Sequence, residues 1–159
     1  MRLAETLGVT IAAAALEEAT FSLLGGWVPT VPEPPARVLL SEQAMHHAWH
    51  ASLWRAITPQ VAGLEPPPGS DLVLRPALDL VRHLTGNDPV ATAGRLAEVQ
   101  VRLADRRLGA YRALLASSSA ASDGPLLRVL ALVLDDQERD RRDGLAVLAA
   151  LPGAGEGGG

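Results

Sequence analysis

Apolar residues recur at helical spacing through four long segments of the chain, and helix-breaking residues separate these segments. The first predicted helix runs from about Leu3 to Leu24 and stops at Gly25-Gly26. The second runs from about Pro35 to Ile57, with proline in its first turn and again beyond its end, where proline is tolerated.

The second half of the chain repeats this pattern. Asn87-Asp88-Pro89 combines a capping residue with proline in the first turn, and it predicts a third helix that runs to about Ala116. Ser122-Asp123-Gly124-Pro125 predicts the start of a fourth helix, which ends before Pro152-Gly153. Good strand formers rarely alternate with polar residues, so the sequence predicts an all-α fold.

The connections between the helices differ in length. Short connections join helices one and two, and helices three and four, whereas residues 59–87 separate helices two and three. That long segment contains a short predicted helix at about Arg75–Leu84. Two helix pairs joined by one long crossover are similar in connectivity to ferritin-like four-helix bundles. We therefore expect one domain over residues 1–151, followed by a disordered Gly-rich tail at residues 152–159.

Composition excludes several classes of protein. The net charge is −4, so a nucleic-acid binder or transcriptional regulator is not expected, because phosphate binding requires a basic face. Absence of cysteine removes disulfides and thiolate chemistry. Glu17, Glu18 and Thr20 interrupt the first apolar segment, which makes it a poor membrane span, and we see no signal peptide. A cytoplasmic protein without nucleic-acid or membrane partners is expected.

On each predicted helix, the core-facing side is apolar at the ends and polar in the middle. Burying ionisable groups is unfavourable unless they pair or bind metal, so polar groups on all four helices predict one common internal site. The predicted apolar stripes include Leu3, Leu7, Ile11, Ala14 and Phe21 on helix one and Val129, Leu132, Val133 and Val147 on helix four. The polar positions are Glu18, with Glu17 at the margin; His46, His47 and His50; Gln100, Arg107 and Tyr111; and Asp136, Arg139, Asp140 and Asp143.

Helix one has a second apolar line at heptad spacing, formed by Val9, Leu16 and Leu23. A monomeric bundle does not need two apolar faces on one helix. Either the short crossover helix or a second subunit covers this line, and we favour the crossover. A homodimer or another protein partner is therefore expected as an alternative.

Three segments carry a resemblance to a known family. Glu17-Glu18, the segment HHAWHASLW and the segment LVLDDQERD resemble a bacterial branch of the ferritin-like superfamily. The resemblance implies a site for two iron or manganese ions, held by a Glu from each of two helices and a Glu-x-x-His from each of the other two. Glu18, His50 and Asp136 match that pattern, whereas His47 stands at a Glu position and Arg139 at a His position.

The match is partial, because helix three offers no inward carboxylate and Arg107 and Arg139 bring positive charge. One interpretation is a buried ion-pair cluster in which Glu18 and Asp136 neutralise these arginines. The others are an altered single-metal site and a working di-iron centre. If a site survives, its ligands are predicted to be Glu18, His47, His50 and Asp136, with a single iron or manganese ion.

We expect a degenerate di-metal site and hence a non-catalytic binding or structural component. The alternative is a metal-dependent oxidoreductase or metal-binding protein with an altered His/carboxylate site. The ion-pair hypothesis also predicts that Arg139→Ala destabilises the fold by about 3–5 kcal/mol, the usual effect of breaking a buried pair.

Overall fold

A computed structural model describes residues 1–152, and these residues form five helices and no strand. Two long helices come first, α1 at Leu3–Trp27 and α2 at Pro34–Ile57, joined by a short 3₁₀ turn at Val28–Thr30. The crossover contains α3 at Arg75–Gly86. These features confirm the all-α prediction. The predicted tail at residues 152–159 lies outside the described residues, apart from Pro152.

The remaining two helices complete the fold. Helix α4 spans residues 92–117 without a break, as α-helical Thr92–Ala97, π-helical Glu98–Leu103 and α-helical Ala104–Ser117. Helix α5 spans Gly124–Ala150. The π-helical turn lies in the middle of α4, and such turns often occur at functional sites.

The helix ends follow the local sequence, with two exceptions. Proline occupies the first turn of α2, α3 and α5, where its missing N–H leaves no hydrogen bond unmade. Helix α1 continues through Gly25-Gly26 to Trp27, which is buried beneath the guanidinium of Arg95. Helix α4 begins at Thr92 instead of residue 87, because Asp88 is held in the preceding loop by two hydrogen bonds from Arg95.

Interior hydrogen bonds give the helix directions. Gln43 meets Gln100 and His47 meets Arg107, so α2 and α4 run in the same direction. Along the same stretch of α2, Gln43 meets Asp140 and His50 meets Asp136, so α5 runs the opposite way. Helix α1 is antiparallel to α2 through their short connection and close packing. The four long helices thus run up, down, down and up.

The core is one contiguous cluster of apolar side chains from all five helices. Helix α3 packs against both α1 and α4. The crossover approaches α1 most closely at Gly8, where a Cβ atom would lie 1.8 Å from Ser70 Oγ. The largest fully buried side chains are Trp54, Tyr111, Leu16, Leu24, Leu40, Leu74, Leu96, Leu103, Leu108, Leu126 and Leu130.

The predicted inward face of α1 was wrong, because the helix buries mainly the opposite side. The line of Val9, Leu16 and Leu23 is buried, with at most 6% of any of these side chains exposed. Ile11 and Phe21, predicted to be in the core, are 49% and 41% exposed. Leu3 is also exposed, although Leu7 and Ala14 are buried as predicted. The second apolar line is therefore the core line, and α3 and α2 pack against α1 to cover it.

A smaller shift affects α5. Val129 and Val133 are buried as predicted and Val147 is partly buried, but Leu132 is 37% exposed. Gln137 takes a fully enclosed position on the inward side of the helix.

Candidate functional site

Glu17 lies at the centre of a polar cluster in the middle of the bundle. Its side chain is completely buried on α1. One carboxylate oxygen accepts hydrogen bonds from the Tyr111 hydroxyl and from Gln137 Nε2, the latter at 2.9 Å. The other oxygen accepts a short hydrogen bond from His47 Nδ1. All four long helices therefore contribute to one internal site, as the sequence predicted, but its central carboxylate is Glu17.

His47 is held between Glu17 and Arg107. Arg107 is buried on α4, and its Nη1 lies 2.7 Å from Nε2 and 3.3 Å from Nδ1 of His47. The ionised Glu17 carboxylate beside Nδ1 can only accept, so Nδ1 bears the imidazole proton, and Nε2 is the nitrogen that accepts from Arg107. Burial and the charge of Arg107 lower the pKa of His47 to about 4, which keeps the ring neutral at pH 7. His47 thus passes a hydrogen bond from Arg107 to Glu17.

Glu17 stays ionised despite its burial. Removal from water alone raises the pKa of a carboxyl group, but the adjacent His47 and His50 and the charge of Arg107 outweigh this effect. Together they hold the pKa of Glu17 well below its ordinary value. The buried Tyr111 hydroxyl stays protonated, because burial and the Glu17 charge raise its pKa well above the usual range.

His50 links Glu17 to the edge of the bundle. Its Nε2 lies 3.1 Å from an Asp136 oxygen, and its Nδ1 lies 3.8 Å from Glu17 Oε2. Burial lowers the pKa of His50, but the nearby carboxylates of Glu17 and Asp136 outweigh burial and raise it. The Asp136 side chain is 16% exposed, so it stands where the buried cluster meets solvent. The two carboxylates therefore favour the protonated form of His50.

A layer of amide hydrogen bonds lies next to this cluster. Gln100, on the π-helical turn, donates to Gln43 Oε1 at 2.7 Å, and Gln43 Nε2 donates to the Asp140 carbonyl at 2.7 Å. Gln100 fits against α5 only because residue 144 is glycine, since a Cβ there would lie 2.2 Å from Gln100 Cδ. The π-helical turn and Gly144 together position this glutamine.

Two predicted residues lie away from the cluster. Glu18 is on the outer surface of the α1–α2 pair, where its side chain is 45% exposed and contacts Arg55. Arg139 is also on the surface, and it pairs with Asp135 and Asp136 of its own helix. The predicted burial of Glu18 and Arg139 in one ion-pair cluster is therefore wrong, because α1 points Glu17 inward and Glu18 outward, although Asp136 does pair with Arg139.

The other predicted residues are placed differently. His47 and His50 are in the cluster and Asp136 is at its edge. Asp140 is buried near them, with its carboxylate 2.9 Å from Nδ1 of the partly exposed His46. Burial raises the pKa of Asp140. Asp143 is exposed.

Glu17, His47 and His50 together could bind a metal ion. One ligand atom from each lies within 4.8 Å of the others. In contrast, the arrangement does not fit two metal ions, because α4 supplies the guanidinium of Arg107 where a carboxylate would be required. A single ion also meets an obstacle, since both nitrogens of His47 already have hydrogen-bond partners.

Several buried polar atoms of the cluster lack a partner. They are His50 Nδ1, Trp54 Nε1, Arg107 Nε and Gln137 Oε1. Such atoms are uncommon in protein interiors and often indicate a bound water or ion. Among these atoms, His50 Nδ1 can act as a metal ligand, and it lies 3.8 Å from Glu17 Oε2.

The sequence contained one signal for Glu17 that the pattern of α1 obscured. The line of Val9 and Leu16 lies on the opposite side of α1 from the predicted stripe, and the buried side that contains this line extends to Glu17. No comparable signal identified Gln137. Comparisons of the chain with protein-family models, with curated proteins and with solved structures gave no match.

Proposed function

We propose that this protein is a ferritin-like helical bundle with a degenerate di-metal site, and that it acts as a non-catalytic binding or structural component. The up, down, down, up order of the long helices supports the ferritin-like part of this proposal. So does the long crossover between α2 and α4, since this connectivity distinguishes ferritin-like bundles from simple up-and-down bundles.

The position of the His47 proton carries the argument against a metal-loaded interior. Arg107 donates to Nε2, so Nδ1 bears the proton and donates to Glu17. A metal ion bound at Nδ1 would move that proton to Nε2, where it would face the N–H groups of Arg107. Arginine cannot resolve this conflict by losing a proton.

The charges of the cluster lead to the same conclusion. The Glu17 carboxylate faces Arg107 through His47, and its charge together with that of Asp136 favours the protonated form of His50. The buried Glu17 charge therefore already has cationic neighbours without metal. Two divalent ions would add four positive charges next to a guanidinium that cannot be neutralised. Ion pairs and hydrogen bonds therefore satisfy the buried groups better than metal ions do.

Elemental analysis of protein purified without chelators and without a His tag tests this proposal. We expect iron, manganese and zinc far below one equivalent per chain, and no change in melting temperature when these ions are added. Iron or manganese near two equivalents would overturn the proposal, as would a large increase in melting temperature with either metal.

One observation supports a second candidate, a metal-binding protein or metal-dependent oxidoreductase with a single-ion site. His50 Nδ1 is buried, has no hydrogen-bond partner and lies 3.8 Å from Glu17. This candidate requires Arg107 to turn away from His47. It predicts one equivalent of bound metal that is lost in Glu17→Gln and retained in Glu18→Gln. If both variants retain the metal, the ion lies elsewhere in the protein.

A further inference from the structure

Helix α1 has no polar side. From Thr6 to Trp27 its only charged residues are Glu17 and Glu18, and Glu17 points inward. The segment Leu3–Thr30 is long and apolar enough to cross a membrane, and 67% of its most apolar window is buried in the bundle. A helix on the surface of a bundle ordinarily carries polar residues opposite its buried side. Beyond Thr6, the unburied part of α1 carries only two polar side chains, those of Glu18 and Ser22.

The outward side of α2 adds exposed apolar residues among polar ones such as Ser41 and Ser52. Met45 is 63% exposed and Trp49 is 46% exposed. On α1, Ile11 and Phe21 are 49% and 41% exposed. These four residues, with the ion pair of Glu18 and Arg55, define what we call the α1–α2 face.

The ion pair lies between two shallow depressions of the α1–α2 face. The larger, of about 420 Å³, is lined by Ile11, and the smaller, of about 330 Å³, is lined by Phe21. Glu18 and Arg55 border both. The face therefore has a relief into which apolar side chains can insert, with one cation and one anion near its centre.

The opposite side of the bundle is built differently. Helices α4 and α5 carry a row of surface ion pairs, among them Arg112 with Glu138 and Arg141 with Asp105. Such a surface is typical of contact with water. Exposed large apolar residues on α4 and α5 are only 37–38% exposed, against 41–63% for the four on the α1–α2 face, so the α1–α2 face is the more apolar of the two surfaces.

We propose that a second copy of this chain covers the α1–α2 face in a two-fold symmetric dimer. The proposal goes beyond the function proposed above and does not depend on it. Glu18 and Arg55 are 45% and 60% exposed and carry opposite charges. A two-fold axis near this pair places Glu18 opposite Arg55 of the partner subunit, so the face is complementary to itself in charge.

The size of the face is sufficient for a stable dimer. Helices α1 and α2 contain 25 and 24 residues. At about 1.5 Å per residue each is roughly 36 Å long, and two adjacent helices are about 20 Å wide. The footprint is therefore roughly 700 Å², close to the value of about 800 Å² per partner that is typical of specific interfaces.

Sedimentation equilibrium of the purified chain over micromolar concentrations tests the proposal. The expected mass is twice 16.6 kDa. Phe21→Arg should raise the dissociation constant by about 30-fold or more, since it places a charge in the apolar contact. Leu132→Arg is the matched control, because Leu132 is an exposed apolar residue on α5 and is 37% exposed. It should leave the mass unchanged.

Charge exchange tests the two-fold arrangement. Glu18→Arg should weaken the dimer, because it brings arginines together within and between subunits, and adding Arg55→Glu should restore the dimer. Circular dichroism confirms that each variant is folded. A monomer at all concentrations would overturn the proposal, as would a dimer that Phe21→Arg does not weaken. A monomer that sediments with phosphatidylcholine vesicles would also overturn it and assign the face to a lipid surface.

Discussion

Two adjacent glutamates give the sharpest test of the interior described above. Glu17 is completely buried and accepts hydrogen bonds from Tyr111, Gln137 and His47. Glu18, one residue later, is 45% exposed and contacts only Arg55. We consider the substitutions Glu17→Gln and Glu18→Gln, which change side-chain shape very little and remove one negative charge each.

The magnitude follows from the contacts that Glu17 makes. Glutamine in its place removes the charge that balances buried Arg107 and His50, and removal of one partner of a buried pair typically costs about 3–5 kcal/mol. The NH₂ group of the new glutamine would face side chains that donate to Glu17. This mismatch is already part of the 3–5 kcal/mol and is not added to it. We therefore expect Glu17→Gln to lower the free energy of unfolding by about 3–5 kcal/mol. Glu18→Gln should change it by about 0–1 kcal/mol, as for other exposed pairs.

Urea denaturation followed by far-ultraviolet circular dichroism measures the difference. The slope of the unfolding free energy against urea concentration should be the same for both variants and the unmodified chain, since all three expose the same surface on unfolding. In a thermal scan, Glu17→Gln should lower the melting temperature by roughly 6–20 °C for a domain of this size. Glu18→Gln serves as the matched control.

Two outcomes would refute the reasoning. A stability loss for Glu18→Gln equal to or greater than that for Glu17→Gln would mean that α1 is rotated as its sequence first suggested. A change of less than about 1 kcal/mol for Glu17→Gln would mean that the buried carboxylate does not hold the cluster together.

Three further predictions concern pH and packing. The pKa of His47 is about 4 in the folded protein against 6.5 in the unfolded chain, so the unfolding free energy should fall by about 3 kcal/mol as the pH drops from 6.5 to 4. The pKa of His50 is raised instead, so its contribution to the unfolding free energy should be lost as the pH rises above 6.5. Urea midpoints measured as a function of pH test both. Arg139→Ala should cost at most about 1 kcal/mol in the same assay, because its ion pairs are exposed. In thermal scans, Gly109→Ala should stabilise α4, where space is open, and Gly144→Ala should destabilise α5 by displacing the glutamine of the π-helical turn.

Much of the fold could be predicted because breakers mark the helix ends. Proline in the first turns of α2, α3 and α5 placed those helices within one or two residues. The end of α1 could not be placed from glycine alone, since burial of Trp27 against Arg95 keeps Gly25-Gly26 helical. Tertiary contact overrode local preference there.

The candidate site could be predicted only where a helix has distinct sides. On α2, exposed Ser41 and Ser52 alternate with buried Gln43 and His47, so the inward side was identified nearly correctly. On α4 the inward polar residues Gln100, Arg107 and Tyr111 are all buried as predicted.

Arginine partners could not be predicted from helical position. Arg107 donates to His47, a neutral ring, and the carboxylate that balances its charge lies one contact further away on α1. Arg139 pairs with Asp135 and Asp136, which its own helix brings within reach on the surface. A carboxylate three or four positions away on the same helix is within reach whatever the rotation of that helix. A partner on another helix is within reach only if both helices have the correct rotation.

The apolar character of α1 connects the wrong prediction with the proposed dimer. A helix with apolar residues all round gives no pattern from which its rotation can be predicted, and the error therefore fell on Glu17 and Glu18. The same character leaves Ile11 and Phe21 outside once Leu16 is buried. If a second subunit covers Ile11 and Phe21, both sides of α1 contact protein, and apolar residues are then expected on both sides. Glu17 then belongs to the interior of one subunit and Glu18 to the interface, so substitution of the first should change stability and charge reversal of the second should change association.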